Sequence, residues 1–451
     1  MPRRTAVVVP AGTDLNRGDQ ALIWEAVSLL RASAAVDEVA IVGEAAGGAG
    51  SGLQTDQSQA AGYRTMPGLL DSPRRGRSRE RDKLADGAAS LARLALTSLA
   101  DFARSAAILL FARHPRWVRP LLSARQRPTY ETIRAATVLV VKGGGFLHAY
   151  GGPRAPYYIW FQLFYLRLAH RLGIPVVVLP NSFGPFVGWT VAGQIRRVLS
   201  RCAFVSARES VSARALEDVL RRPVPVLPDM GYFLEPAPPE VGETACRGAG
   251  VPLGDVPCVG FTVRPWRFPG TRDPAARFDQ YIGAVAALVR HVALRGCHPV
   301  LISHVLGPGA HEDDRLALDD LARRLGPVRF SRVDHPGTCR DLKSIYACMD
   351  YVVGTRFHSV IFAQGAGVPC LAIGYGGNKA VGIMSDRGLG EYVVPIEEAT
   401  ADVLCRRFDL LVRNEAIVRE SNGRWRTEAP WQRERLRGLI ASRLEARPAV
   451  L

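Results

Sequence analysis

Thr355, Arg356, Phe357 and His358, followed one apolar run later by Tyr375 and Lys379, bring two permanent cations and an imidazole into one short stretch. Such a set suits a small anion whose reaction needs a proton. Arginine grips a carboxylate or phosphate with two parallel N–H groups, lysine acts as a point charge, and histidine exchanges protons most readily near neutrality. The sequence does not point to a metal. Its eight cysteines (202, 246, 258, 297, 339, 348, 370 and 405) include no CxxC pair and read as reduced core thiols, not as a disulfide frame or zinc site.

The pattern around these residues says how they are held. Residues 351–353 form an apolar strand, Gly354 and Thr355 a turn, and 357–365 a helix with Phe357, Ile361 and Phe362 on one face; a second strand, 370–373, follows Pro369. Strand, helix and strand in that order belong to a parallel sheet, whose ligands sit at the carboxyl ends of the strands. There the amino terminus of the helix adds unpaired N–H groups that favour an anion.

Further strands end in polar residues. The first, 5–10, leads through a glycine-bearing loop with Asn16, Gly18 and Asp19 to a helix over 20–32; Asp19 reads equally as the helix cap or as a site residue. Strand 136–141 runs into Lys142, Gly143, Gly144 and Gly145, where missing side chains let a ligand or another chain segment come close. Strand 176–179 ends in Pro180, Asn181 and Ser182, uncharged groups suited to sugar hydroxyls. Strand 204–206 ends in Arg208, which faces either a ligand or an ion pair with Glu209 or Asp229, and 224–227 leads into that Asp229. Strands 258–263 and 300–303 end in Arg264 and His304, and a capping box at Thr338 to Asp341 starts another helix.

A chain of 451 residues calls for two domains. The expected division is 1–234 with an insert at 44–125, a Pro/Gly-rich linker at 235–257, and 258–451 closed by helices near 402–419 and 431–445. The fold class is α/β, two Rossmann-like domains facing a cleft. The first apolar run is too short for a signal peptide, and 155–166 falls short of a membrane span.

The net charge of +16 is almost wholly arginine, the lysines being Lys83, Lys142, Lys343 and Lys379. A basic surface meets nucleic acid, anionic membrane or an acidic substrate, and no zinc finger or RNA-binding aromatic motif supports the first. The segment 43–83, with the run RRGRSRERDK at 74–83, reads as a mobile insert, and 84–122 as an amphipathic helix. That helix either packs on the sheet with its charges solvated or docks on anionic lipid.

With these pieces in order, the sequence resembles the polysaccharide pyruvyl transferase family. The likeness is carried by Asn16, Gly18 and Asp19, by 142–145, 180–185 and 207–210, by Pro228 with Asp229, Ser303 with His304, 355–358, and Tyr375 with Lys379; it runs from about residue 5 to 390 and leaves the 44–125 insert outside. The resemblance implies a fold like that of GT-B glycosyltransferases and phosphoenolpyruvate as donor. It also implies a pyruvate ketal built on two sugar hydroxyls, release of phosphate, and no metal or other cofactor.

On this reading His358, Arg208 and Lys379 are catalytic, with His304 the rival proton donor. Arg356, Thr355, Arg264 and His304 join Arg208 and Lys379 around the donor, while Asn16, Asp19, Gly144, Gly145, Asn181 and Ser182 face the acceptor. The expected partners are phosphoenolpyruvate and a glycan or lipid-linked saccharide, with no nucleic acid; the expected location is cytoplasmic or peripheral at the inner face of the membrane. Oligomeric state is left open. Two other readings stand beside it: a GT-B glycosyltransferase with a nucleotide-sugar donor, and a non-catalytic protein that binds glycan or membrane.

Overall fold

The computed structural model describes residues 3–43, 54–70, 88–309, 312–335, 337–377 and 379–445; most of the segment expected to be a mobile insert, with its basic run at 74–83, lies outside them. In the first half the strands are β1 (Thr5–Val9), β2 (Glu38–Val42), β3 (Arg64–Met66), β4 (Val138–Val141), β5 (Gly144–Tyr150), β6 (Val176–Val187) and β7 (Phe204–Ala207). In the second they are β8 (Cys258–Thr262), β9 (His298–Ile302), β10 (Ser331–Val333), β11 (Tyr351–Gly354), β12 (Cys370–Gly374) and β13 (Val393–Pro395).

Two parallel sheets result. The first runs β3-β2-β1-β4-β6 with β5 and β7 both on β6, and the second β10-β9-β8-β11-β12-β13. Strands such as β4 and β11 are buried along their whole length, as a sheet covered on both faces requires. In each sheet the order reverses beside the first strand, between β1 and β4 and between β8 and β11. The crevice at such a reversal is where open α/β sheets take their ligands. The loops and first helical turns that follow those four strands carry Asn16 and Asp19, Lys142, Arg264, and Arg356 with His358.

The halves share a core. One cluster lies on one face of the first sheet, around Val7, Leu139 and Val178. The other is continuous from Leu22 and Ile23 in the helix Arg17–Ala32 to Val259, Ile361 and Leu371 in the second half. At this junction Gln20 Oε1 accepts the Cys339 N–H at 2.7 Å. The last helix, Glu415–Glu445, comes back to the first half, where Arg433 Nη2 donates to Ser28 Oγ at 2.8 Å and Arg437 Nη1 to the Ala32 carbonyl at 3.2 Å.

Four local expectations change. Strand β6 does not stop at Leu179 but continues through Pro180, Asn181 and Ser182, because β5 supplies a ladder partner with Gly144 opposite Asn181 and Leu147 opposite Phe183. The expected linker contains a helix, Pro239–Gly248, whose Gly242 lies so close to Ser344 that a Cβ there would sit 2.5 Å from the Ser344 backbone. The expected strand 224–227 is a single bridge from Val226 to Ala207. At the end of the chain the helices are Ala401–Arg413 and one unbroken Glu415–Glu445 with Pro430 inside it.

The insert contributes the helix Ala88–Leu110, held by Trp160, whose Nε1 donates to Ser105 Oγ at 2.9 Å and whose ring lies 4.9 Å from that of Phe102. No described helix is long and apolar enough to cross a membrane. All eight cysteines are free thiols.

Candidate functional site

The first wall begins at the helix Arg17–Ala32. Its cap is Asn16, not Asp19: the Asn16 side chain accepts the Gly18 and Asp19 N–H groups and donates to Asp19 Oδ2 at 2.9 Å. Asp19 is thereby aimed at the buried Lys142 ammonium, with which it pairs. Burial alone would raise the Asp19 carboxyl, but Lys142, with His358 and Lys379, holds it below the usual carboxylate range.

Arg208, at the end of β7, is fixed on three sides and 1% exposed. Its Nε donates to Ser182 Oγ at 2.7 Å, its Nη1 pairs with Asp229, and Glu209 lies 3.6 Å from Nε. The expected ion pairs with Glu209 and Asp229 therefore form, and the remaining Nη2 points to Gly145. Ser182, expected to meet sugar, is held inside the wall: its hydroxyl donates to Glu209 Oε2 at 2.9 Å while accepting from Arg208. Asn181 is fully buried, and neither atom of its amide group has a hydrogen-bond partner.

Glycine makes room for the second wall. A Cβ on Gly145 would lie 2.4 Å from Lys379 Cε and 3.1 Å from Arg208 Nη2, so the absent side chain is what lets both cations reach one spot. A Cβ on Gly18 would lie 2.3 Å from His358 Nδ1. Gly144, by contrast, has φ +130° and faces Leu22, so it serves the turn into β5.

From the second half comes His358, in the first turn of the helix Phe357–Gly365, with Nε2 lacking a hydrogen-bond partner and 3.9 Å from Asp229 Oδ2. Burial lowers its pKa from the ordinary 6.5 to about 4; Arg208 and Lys379 push the same way, and Asp229 and Asp19 oppose them. This direction favours the neutral imidazole near pH 7. Lys379 opens the helix Lys379–Asp386, and among the described residues no carboxylate lies within ion-pair distance of its ammonium. Burial, Arg208 and Arg264 lower its pKa, against Tyr375 and Asp19.

Arg264 stacks its guanidinium over Tyr375 at 4.1 Å and Trp266 at 4.8 Å, and its Nε has no partner. Despite burial, Arg264, Arg356 and Lys379 draw the Tyr375 phenol down to about 8.

Three expected donor residues sit deeper. Arg356 Nε donates to Asp314 Oδ1 at 2.7 Å and Nη2 to the Glu312 carbonyl at 2.7 Å, so two of its three nitrogens hold the loop. The Thr355 hydroxyl bonds the Tyr281 phenol at 2.8 Å. His304 is 1% exposed, with Nδ1 3.1 Å from the Tyr346 hydroxyl and its ring 5.5 Å from that of Phe362.

Lys142, Asp229 and Tyr375, which carry the family resemblance but have no expected role, also line this place, each following a strand or bridge end. His148 the sequence reading missed altogether. Its ring lies 5.1 Å from that of Tyr150 and 5.9 Å from that of Tyr158, and burial, then Lys379, lowers its pKa to about 4. The signal was the alternation of β5, with Leu147 and Ala149 buried and Phe146, His148 and Tyr150 turned outward.

Known proteins bear on this geometry at two levels. In overall shape the chain is similar to a putative UDP-N-acetylglucosamine 2-epimerase from Listeria monocytogenes, at 12% identity and TM-score 0.56, with 99% of this chain and 98% of that one covered. It is similar as well to a UDP-glucosyltransferase from Polygonum tinctorium, at 11% identity and TM-score 0.55, with 99% of each chain covered. These likenesses establish the fold: α/β, with two Rossmann-like halves in the GT-B manner.

In sequence, the family model for polysaccharide pyruvyl transferases matches residues 71–377. The match starts inside the insert expected to lie outside it, and it leaves out Asn16, Asp19 and Lys379, whose place in the cleft rests on geometry. It spans well over half of the sequence, and the chain belongs to the polysaccharide pyruvyl transferase family.

Proposed function

We propose that the chain moves a pyruvyl group from phosphoenolpyruvate to two hydroxyls of a glycan, forming a ketal and releasing phosphate. One observation carries this reading: the Lys379 ammonium and the Arg208 Nη2 meet over the bare Gly145 backbone beside an unpartnered His358 nitrogen. A compact, highly charged enol ester fits such a place, with its carboxylate and phosphate on the cations.

The chemistry then needs few parts. A sugar hydroxyl bonds to the central carbon of the donor as the double-bond electrons take a proton onto the methylene carbon, which becomes methyl. Phosphate leaves with the electrons of its C–O bond. The second hydroxyl bonds to the same carbon, and its proton ends on phosphate. The first hydroxyl's proton passes to the imidazole, replacing the one that His358 gives to the methylene carbon, so both acceptor protons are accounted for.

His358 delivers the first proton. Burial favours its neutral form and a bound anion favours its charged form, so donor binding promotes the acid. Asp229, held by Arg208 and by the Gly231 N–H at 2.7 Å, lies 3.9 Å from the ring's Nε2, where its charge favours the imidazolium. His304 takes no proton to the donor in this scheme, being buried with its ring tilted against that of Phe362. Lys379 and Arg208 stabilise the departing phosphate. Arg356 and Thr355 hold the loop, and Arg264, fixed by Tyr375, lines the donor side.

The acceptor lies against the first half. Asp19 and the rings of His148, Tyr150 and Tyr158 offer a hydrogen-bond acceptor and an aromatic shelf for a sugar face. The test is to titrate phosphoenolpyruvate against a nucleotide-sugar panel and to follow phosphate release with candidate glycans. Binding of phosphoenolpyruvate with acceptor-dependent phosphate release is expected. Saturable binding of a nucleotide sugar with none of phosphoenolpyruvate would replace this reading by that of a nucleotide-sugar glycosyltransferase, which the shared fold also supports.

A further inference from the structure

From 96 to 110 the helix Ala88–Leu110 turns leucines outward. Asp101 and Ser105 are buried with Ile108 and Leu109, while Leu96, Leu99 and Leu110 are 70%, 66% and 67% exposed. At helical spacing these leucines share a face with Ala100 and Ala103. Every residue exposed between 96 and 110 is leucine, alanine or phenylalanine. A helix that meets water shows the reverse pattern, so this face is made for a covering other than water.

Charge says which covering. From 88 to 127 the sequence holds seven arginines against one aspartate, with no lysine or glutamate. Arg113, Arg116 and Arg125 are exposed just past the leucine face, beside Trp117, itself 56% exposed. A second copy of the chain would set these cations against their like. The preceding stretch 71–87 is mostly charged, with Leu84 and Ala85 its aliphatic residues, so its composition does not match an apolar face.

We propose that this helix docks the protein on an anionic bilayer, its leucines in the interface and the arginines on the headgroups. The helix is fastened through Ser105 to Trp160, in the helix Ala155–Gln162 that follows β5. Docking therefore fixes the height of His148 and Tyr150 above the lipid, where an acceptor carried on a lipid would present its sugar.

The test uses the full chain and two kinds of vesicle, phosphatidylcholine alone and phosphatidylcholine with phosphatidylglycerol. Sedimentation with the anionic vesicles only, weakened by salt, is expected. L96S/L99S/L110S should cut that partition by roughly tenfold at an unchanged melting temperature, since the three side chains already face outward. R113Q/R116Q, which leaves the leucines alone, should weaken binding to the anionic vesicles as well. The proposal falls if the chain binds neither vesicle, if both variants bind as the parent does, or if sedimentation velocity shows a dimer that the leucine variant abolishes.

Discussion

The two walls of the cleft carry similar numbers of cations but treat them differently. In the first, Lys142 faces Asp19, and Arg208 faces Asp229 and Glu209, so each positive group has a carboxylate. In the second, Arg356 alone is matched that way, by Asp314; Arg264 lies on aromatic rings, and Lys379 has no carboxylate within reach among the described residues. A partly buried cation without a carboxylate is costly unless a ligand supplies the charge. Under the function proposed above, the unmatched Lys379 takes charge from the donor, and the balanced pairs of the first half stay with their carboxylates.

Substitutions test that contrast, and the largest effect is expected at His358. His358→Gln should lower kcat by about 10²–10⁴-fold with the fold intact by circular dichroism. Turnover close to the parent's would remove proton delivery from the second wall. Next come the two cations over Gly145. Arg208→Gln leaves Asp229 and Glu209 buried without a counter-charge and should cost about 3–5 kcal/mol in urea unfolding. Lys379→Gln should leave stability nearly unchanged and raise the apparent KM for the donor by roughly tenfold or more, the worth of a charged hydrogen bond. Equal loss of stability in both would erase the distinction between matched and unmatched cations.

Acid sensitivity gives a smaller effect with a fixed sign. His358 and His148 are held near 4 in the folded chain, against 6.5 ordinarily. Between those values the unfolded chain binds more protons, so these residues' contribution is intact above 6.5 and is lost as pH falls toward 4. The melting temperature of His358→Gln should therefore decline less steeply over this window than the parent's; parallel curves would mean that the imidazole is already charged. The smallest effect is expected at Tyr375. The parent should show one phenol ionising near pH 8 in ultraviolet difference spectra, absent from Tyr375→Phe, and the variant should keep most of its activity.

Much of this arrangement is legible in the sequence because buried parallel strands are near-continuous apolar runs, and polar residues stand out where they end. That rule finds β1, β4, β7, β8 and β11 and the residues after them. It fails at β5 and β6, where Gly-Gly-Phe and Pro-Asn-Ser-Phe-Gly-Pro look like turns but are held straight by each other. For the same reason Ser182 was expected at an open strand end and is instead tied into the Arg208 network, and His148 was passed over. The helix at 239–248 was hidden by prolines and glycines whose role is close packing, as Gly242 on Ser344 shows. Partner choice was the least legible part: no local pattern tells that Arg356 turns to Asp314 while Arg264 turns to rings.

The closing helix has a mechanical consequence. Because Glu415–Glu445 ends on the first half, the chain passes between the halves twice, once through 235–257 and once here. Two crossings act like the two pins of a door: they suppress sliding and leave rotation about the line that joins them as the soft motion. A swing about that line would move Lys379, on the second half, relative to Gly145, on the first.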